Sequence, residues 1–114
     1  MDRQIDQDRV FFALADPGRR RILGRLSLGP MTVSELARWM EMSLPLLMQH
    51  VAILESGALA VTEKQGRVRT CRVDKEGFRF LEQWLNNHRL IWEMKIERLH
   101  TLVEEGEGTK GLGD

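Results

Sequence analysis

The stretch around Glu41-Met42 constrains this chain more than any other, because two helical patterns stop and restart across those two residues alone. The first opens at Thr32-Val-Ser-Glu35, a capping box with a hydroxyl at its first position and a carboxylate three residues on. It predicts a helix over residues 33–40 with Leu36, Ala37 and Met40 turned inward. Ser43 caps the second helix, over residues 43–56; Pro45 stands in its first turn, and Leu47, Val51 and Leu54 repeat at helical spacing. Two short helices across so tight a break form the helix-turn-helix pattern, whose second helix lies in the major groove when such a pair meets DNA.

The flanks extend that pattern. Upstream, residues 5–15 form an apolar helical cluster that stops at Asp16-Pro17. Asp16 is a good N-cap and Pro17 fits a first helical position, so a second helix runs over residues 18–28 until Gly29-Pro30 ends it. Downstream, Gly57 stands where a left-handed residue closes a helix. The period then changes to two along residues 59–64 and 68–73, with Gln65-Gly66-Arg67 as the turn, which reads as a β-hairpin. A hairpin directly after a helix-turn-helix is a wing. The fold class is therefore mainly α with a β-hairpin wing, a winged helix-turn-helix in the order α-α-α-α-β-β-α.

From Lys75 the chain returns to helix. Phe78, Leu81, Leu85, His88, Trp92, Lys95, Leu99 and Leu102 form a heptad-like series, which Trp84, Ile91, Ile96 and Val103 widen. One amphipathic helix this long cannot bury both sides of such a stripe in a small domain, so the stripe reads as a homodimer interface. His88 and Lys95 are its polar exceptions, and either set register across a two-fold axis or reach outward. Residues 1–104 are expected to form one domain and residues 105–114, Gly-rich and polar, a disordered tail.

At 114 residues the chain is long enough for one hydrophobic core. Its formal net charge of zero confines any positive surface to a part of the molecule. Residues 1–73 carry eleven Lys and Arg against eight acids, about +3, and the remainder is about −3. A basic body of this kind suits a face presented to a polyanion. The single cysteine, Cys71, allows no internal disulfide, and with no long apolar run the chain is expected to be cytoplasmic, with no membrane role.

Five segments, in this order and spacing, resemble the ArsR/SmtB bacterial repressors. They are Phe12-Ala-Leu-Ala-Asp-Pro-Gly-Arg-Arg-Arg-Ile-Leu23, Thr32-Val-Ser-Glu-Leu-Ala37, Met42-Ser-Leu-Pro45, His50-Val-Ala-Ile-Leu-Glu-Ser-Gly-Ala-Leu59 and Gly66-Arg-Val-Arg-Thr-Cys-Arg72. The later Arg89, Trp92-Glu93 and Arg98-Leu99 pattern looks like a branch of that family that does not sense metals. The resemblance implies a symmetric dimer, paired through its first and last helices, that represses transcription from a partly palindromic operator in double-stranded DNA. On that reading Val10 and Phe11 join Leu81, Trp84, Leu85, His88, Ile91, Trp92, Lys95, Leu99 and Leu102 at the dimer interface.

Helical geometry turns Ser43, Leu44, Pro45, Leu46, Met48, Gln49 and His50 outward. Gln49 could reach an adenine edge, His50 a base or phosphate, and Leu44 and Leu46 thymine methyl groups; His50 has the alternative of local packing. The family usually has more polar residues at 44, 46 and 48. In the wing, Lys64, Arg67 and Arg69 suit phosphate contact or minor-groove insertion. Thr32 caps a helix whose first-turn N–H groups can also hold a phosphate. Arg19, Arg20 and Arg21 either meet phosphate or pair with Asp16 or Glu55.

Metal sensing needs clustered thiolate, imidazole or carboxylate ligands, and the stretch Glu35-Leu-Ala-Arg-Trp-Met40 holds no Cys-x-Cys motif. His88, Glu93, Glu97 and His100 do not match the family's ligand spacing, so neither a metal nor another cofactor is expected; any inducer is unknown from sequence. Two further readings stay open. Exposed Leu44, Leu46 and Met48 suit a winged-helix module that binds a protein instead of DNA. Cys71, beside Arg69 and Arg72, suits a thiol redox sensor if it is exposed. An enzyme is not expected, since no catalytic constellation is visible.

Overall fold

A computed structural model describes residues 4–106. Helix α1, Gln7–Leu14, starts at Asp6, whose carboxylate accepts the N–H groups of Asp8 and Arg9. Helix α2, Pro17–Leu26, is capped by Asp16, and Pro17 at its first position supplies the preset φ expected there. The Arg19 N–H donated to Asp16 Oδ2 holds that carboxyl below its ordinary value of 3.8. The helix stops two residues short of the sequence expectation: Ser27 forms its C-cap and Leu28 lies beyond it.

Helix α3, Val33–Met40, and helix α4, Leu44–Ser56, form the helix-turn-helix. Thr32 Oγ1 accepts the Glu35 N–H at 3.1 Å and donates to the Glu35 carboxylate at 3.0 Å. Glu41 takes the left-handed conformation at the break, with φ of 57°, which lets two residues reverse the chain before Ser43 caps α4.

The left-handed residue after α4 is Ala58, with φ of 56°, and not Gly57, whose φ is −90°. Gly57 serves close approach instead. A Cβ on it would stand 3.0 Å from the Arg9 carbonyl and 3.2 Å from Val10 Cα, so the missing side chain lets α1 lie against the end of α4.

Strands β2, Ala60–Gln65, and β3, Val68–Val73, make the hairpin, with Gly66 and Arg67 as its two-residue turn and Gly66 at a φ of 65°. A further strand, β1, Met31–Thr32, completes an antiparallel sheet in the order β1-β3-β2. Met31 pairs with Cys71 and Thr32 with Thr70, so the start of α3 is tied to the middle of the wing.

The core gathers Val10 and Ala13 from α1, Ile22 and Leu26 from α2, Leu36 from α3, Leu47, Val51 and Leu54 from α4, and Leu59 and Cys71 from the sheet. Burial of each large side chain contributes about 1.5–3 kcal/mol. Helix α5, Lys75–Gly106, begins where the Gly77 N–H donates to the Ala58 carbonyl at 2.7 Å. The chain forms two units, one ending at Leu81 and one beginning at Glu82. The second is the long remainder of α5, with Leu85, Ile91, Trp92, Leu99 and Leu102 all exposed. The expected tail lies, from residue 107 on, outside the described residues.

Candidate nucleic-acid interface

The first turn of α3, the outer face of α4 and the hairpin enclose a concavity of about 430 Å³. Thr32, Leu44, Met48, Lys64, Arg67 and Arg69, six of the residues expected at a DNA contact, line it together with Val33, Ser34 and Val68. No carboxylate lines it among the described residues. Ser34 and Val68 are additions to the sequence reading. Ser34 follows the Thr32 cap by two residues, and a serine on that exposed first turn was the available signal.

The register of the hairpin fixes the charge of this groove. Lys64 lies directly opposite Arg69 across the strands, and Arg67 follows one residue past the turn glycine. Like charges in direct cross-strand register repel, so this arrangement lowers the stability of the isolated hairpin and is relieved by an anion. Arg69 is partly restrained, because its guanidinium donates to Thr62 Oγ1 at 3.0 Å. Thr62 in turn donates its N–H and hydroxyl to the Glu55 carboxylate at 3.3 and 3.2 Å. That chain of contacts runs from the end of α4 to the wing. Arg72 pairs with Glu63 at 2.7 Å, so its charge is already answered.

On α4, Ser43 Oγ accepts the Leu46 N–H at 3.3 Å, while Pro45 and Gln49 are exposed. Leu44 and Leu46 are 42% and 43% exposed, which leaves two apolar side chains on the face that the groove opens toward. His50 departs from the outward placement. It is half-buried, and its Nδ1 lies 3.4 Å from the Arg19 guanidinium. Arg19, 7% exposed, also donates to the carbonyls of Ala13 and Phe12, each at 2.9 Å, and stacks over the Phe12 ring. His50 is thus set against α2 by its contact with Arg19, and the buried Arg19 guanidinium is held by the two backbone carbonyls. Arg20 donates to the Leu14 carbonyl at 2.7 Å and Arg21 lies over the Trp39 ring at 4.9 Å.

Two further expectations change. Val10 is 0% exposed within the first unit and has no surface to offer a second subunit, whereas its neighbour Phe11 is half-buried and Phe12 exposed. Cys71 is also 0% exposed, and burial, helped by the Glu55 charge, pushes its thiol up to about 11. Such a thiol resists becoming the reactive thiolate, whatever the nearby Arg69 and Arg72 would do to an exposed one.

In the second unit, His88 stacks on Trp84 with ring centroids 4.0 Å apart, and its Nδ1 lies 2.8 Å from the Trp84 carbonyl. Lys95 Nζ stands 5.1 Å over the Trp92 ring, so both polar exceptions of the stripe lean on its aromatics. Glu93 pairs with Arg89 and His100 with Glu104. Among the described residues no three His, Cys, Asp or Glu side chains converge as metal ligands would.

Comparison with known proteins decides what kind of chain carries this groove. A family model described as a helix-turn-helix domain matches residues 14–63. The HTH-type transcriptional regulator Rv2034 of Mycobacterium tuberculosis is 34% identical over 103 residues, covering 90% of this chain and 94% of its own. A solved ArsR family transcriptional regulator is 52% identical with a TM-score of 0.70, covering 75% of this chain and 89% of its own. The chain belongs to the ArsR family. A solution structure of a homodimeric winged helix-turn-helix DNA-binding domain from Mycobacterium bovis, a possible ArsR-family regulator, resembles this family member at 27% identity and a TM-score of 0.59. It covers 79% of this chain and 94% of its own. This ArsR-family protein is thus a winged helix-turn-helix transcriptional regulator, and its relatives are regulators and not enzymes. Among its described residues no helix is long and apolar enough to cross a membrane.

Proposed function

We propose that the chain is a homodimeric repressor that binds double-stranded operator DNA through the groove between α4 and the wing, with no metal required. One observation carries this reading: the concavity brings the first turn of α3, the face of α4 and the cations Lys64, Arg67 and Arg69 together with no carboxylate among its lining residues. A polyanion is the partner that relieves the Lys64–Arg69 repulsion.

In this arrangement α4 enters the major groove. Leu44 and Leu46 meet thymine methyl groups, Gln49 reaches a base edge, and Ser43, Pro45 and Met48 fill the groove wall. The first turn of α3, capped by Thr32, points free N–H groups at a phosphate, and Lys64 and Arg67 hold the backbone or enter the minor groove. With few polar side chains on α4, DNA shape supplies part of the specificity. A partly palindromic operator follows if two copies pair through the exposed stripe of α5, since a two-fold dimer presents two equivalent helices. Occupancy of an operator near a promoter then represses transcription.

The test is the salt dependence of binding to operator DNA recovered from genomic fragments. Affinity is expected to fall linearly on logarithmic axes, and Lys64→Ala with Arg67→Ala to reduce the slope by about 0.9 for each lost phosphate contact. No enriched fragment, or an unchanged slope in the double variant, would remove the groove from DNA binding. A partner protein captured through Leu44 and Leu46 would then take its place.

A further inference from the structure

Two arginines of β3 are held in opposite ways. Arg72 is exposed and meets the Glu63 carboxylate directly at 2.7 Å, which answers its charge. Arg69, half-buried at the wall of the groove, is held by a neutral group instead: its guanidinium donates to Thr62 Oγ1 at 3.0 Å. Among the described residues it forms no ion pair. A guanidinium carries five N–H donors in one plane, so a single bond to Thr62 fixes its direction and leaves donors and charge for the groove.

The Thr62 hydroxyl has one proton, and Glu55 sets where it points. Glu55 Oε2 accepts the Thr62 N–H at 3.3 Å and the hydroxyl at 3.2 Å, which turns the hydroxyl's lone pairs toward Arg69. Glu55 is the penultimate residue of α4, and Thr62 belongs to β2, an outer strand of the sheet. A carboxylate in the last turn of a helix faces the negative end of the helix dipole and is disfavoured there. Its two bonds to Thr62 offset that and tie α4 to the wing. Closing the edge of β2 needs only the N–H bond; the hydroxyl bond and its continuation to Arg69 go beyond it.

We propose that Glu55 and Thr62 are positioning residues that aim Arg69 at a DNA phosphate without neutralising it. The assignment rests on the groove being the DNA-binding face. Arg69 then becomes a third phosphate contact beside Lys64 and Arg67, held at a set distance from α4, while Lys64 directly across the strands is pushed from it by like charge.

The test is binding of the full chain across a salt series, to operator DNA from genomic fragments and to a random-sequence duplex. Thr62→Val keeps the side-chain shape and the N–H bond to Glu55 and removes the hydroxyl. It is expected to weaken both complexes about three- to tenfold and to lower the salt slope by about 0.9, as loss of one phosphate contact does. Thr62→Ser, which keeps a hydroxyl, should retain the parent's affinity and slope. Glu55→Ala deletes a negative charge, which by charge alone would strengthen binding to a polyanion; weaker binding is expected instead, and stronger binding would overturn its role. In an Arg69→Ala background, Thr62→Val should have no further effect, because nothing remains for it to position. A weakening that persists in that background would make Thr62 a structural support only and overturn the proposal. So would an unchanged slope in Thr62→Val beside a reduced one in Lys64→Ala with Arg67→Ala, an outcome that leaves DNA binding at the groove standing. If all these variants keep the parent's slope, the groove is not the DNA-binding face and the proposal falls with it.

Discussion

The Arg19 guanidinium lies 3.4 Å from His50 Nδ1 and, through the carbonyls of Phe12 and Ala13, joins the end of α1 and the start of α2 to the middle of α4. Three elements are held by one buried cation; the Phe12 carbonyl also accepts the Ala15 N–H at 3.2 Å, whereas the Ala13 carbonyl is held in a buried bond to Arg19. Arg19→Met keeps the stem and removes the donors, leaving a buried acceptor at Ala13 that costs about 1–3 kcal/mol. A loss of about 1–3 kcal/mol is expected in urea unfolding, against under about 1 kcal/mol for Arg20→Met at the exposed neighbour.

His50 and Gln49 separate the packing role from the reading role on α4. His50→Ala is expected to leave operator affinity nearly unchanged, because its half-buried ring is engaged by Arg19. Gln49→Ala is expected to relax discrimination at one base pair by about 1–3 kcal/mol. Competition binding with single-base operator variants checks both, and a larger effect of His50→Ala on base discrimination would reverse the two assignments.

The fold was legible where sequence and local geometry agree. Thr32 and Ser43 each cap a helix as the spacing of hydroxyl, apolar and break residues requires, and the two-residue turn at Gly66 fixes the hairpin register. What the sequence did not carry was set by tertiary partners. Strand β1 is two residues between Pro30 and a helix cap, and exists because Met31 and Thr32 meet Cys71 and Thr70. His50 lies at a helical position that local periodicity leaves free to point either way; the buried Arg19 on α2 decides it. Gly57 and Ala58 exchange expected roles because α1 presses on the first and not the second. Of the groove residues, those on caps and on the turn could be named in advance. Ser34 and Val68 needed the folded concavity.

Cys71 gives a pH-dependent signature. Its folded-state thiol titrates at about 11 against an ordinary 9.0, so below pH 9 both states hold the proton and the group does not affect stability. Between these values the unfolded chain releases a proton that the folded chain keeps, and stability falls as pH rises. The fall is about 1–2 kcal/mol across the window. Cys71→Val should remove that component of the pH profile, measured as the difference between the two proteins at pH 8 and pH 10.5. At neutral pH the native thiol is expected to resist iodoacetamide until the chain is unfolded, and peroxide is expected to leave DNA affinity unchanged.

Two glycines in helices should respond oppositely to the same substitution. Gly24 lies within α2 with open space around it, so Gly24→Ala gains helix propensity and raises stability by about 0.5–1 kcal/mol. Gly77 lies in the first turn of α5, where a Cβ would overlap the Ala58 carbonyl and stand 2.6 Å from that of Gly57. Backbone cannot move aside as a side chain tip can, and Gly77→Ala is expected to cost about 1–3 kcal/mol. Thermal unfolding of the two variants beside the parent decides the signs.

The second unit cannot stand as a lone helix in water. Leu85, Trp92 and Leu99 recur every seven residues on its surface, all exposed, and an isolated helix gains its stability from packing such a stripe. The Trp84–His88 stack and the Lys95–Trp92 contact shield part of each aromatic ring but leave the leucines uncovered. Pairing with a second copy buries them, and a carboxylate placed among them would then be desolvated without a partner. Leu99→Asp is therefore expected to shift the protein from dimer to monomer in analytical ultracentrifugation, with a loss of about 2–5 kcal/mol in association. Glu97→Lys, on the helix face opposite the stripe, also changes charge and should leave the dimer intact. If Leu99→Asp sediments as the parent does, the stripe is not the subunit contact, and a palindromic operator loses its structural basis.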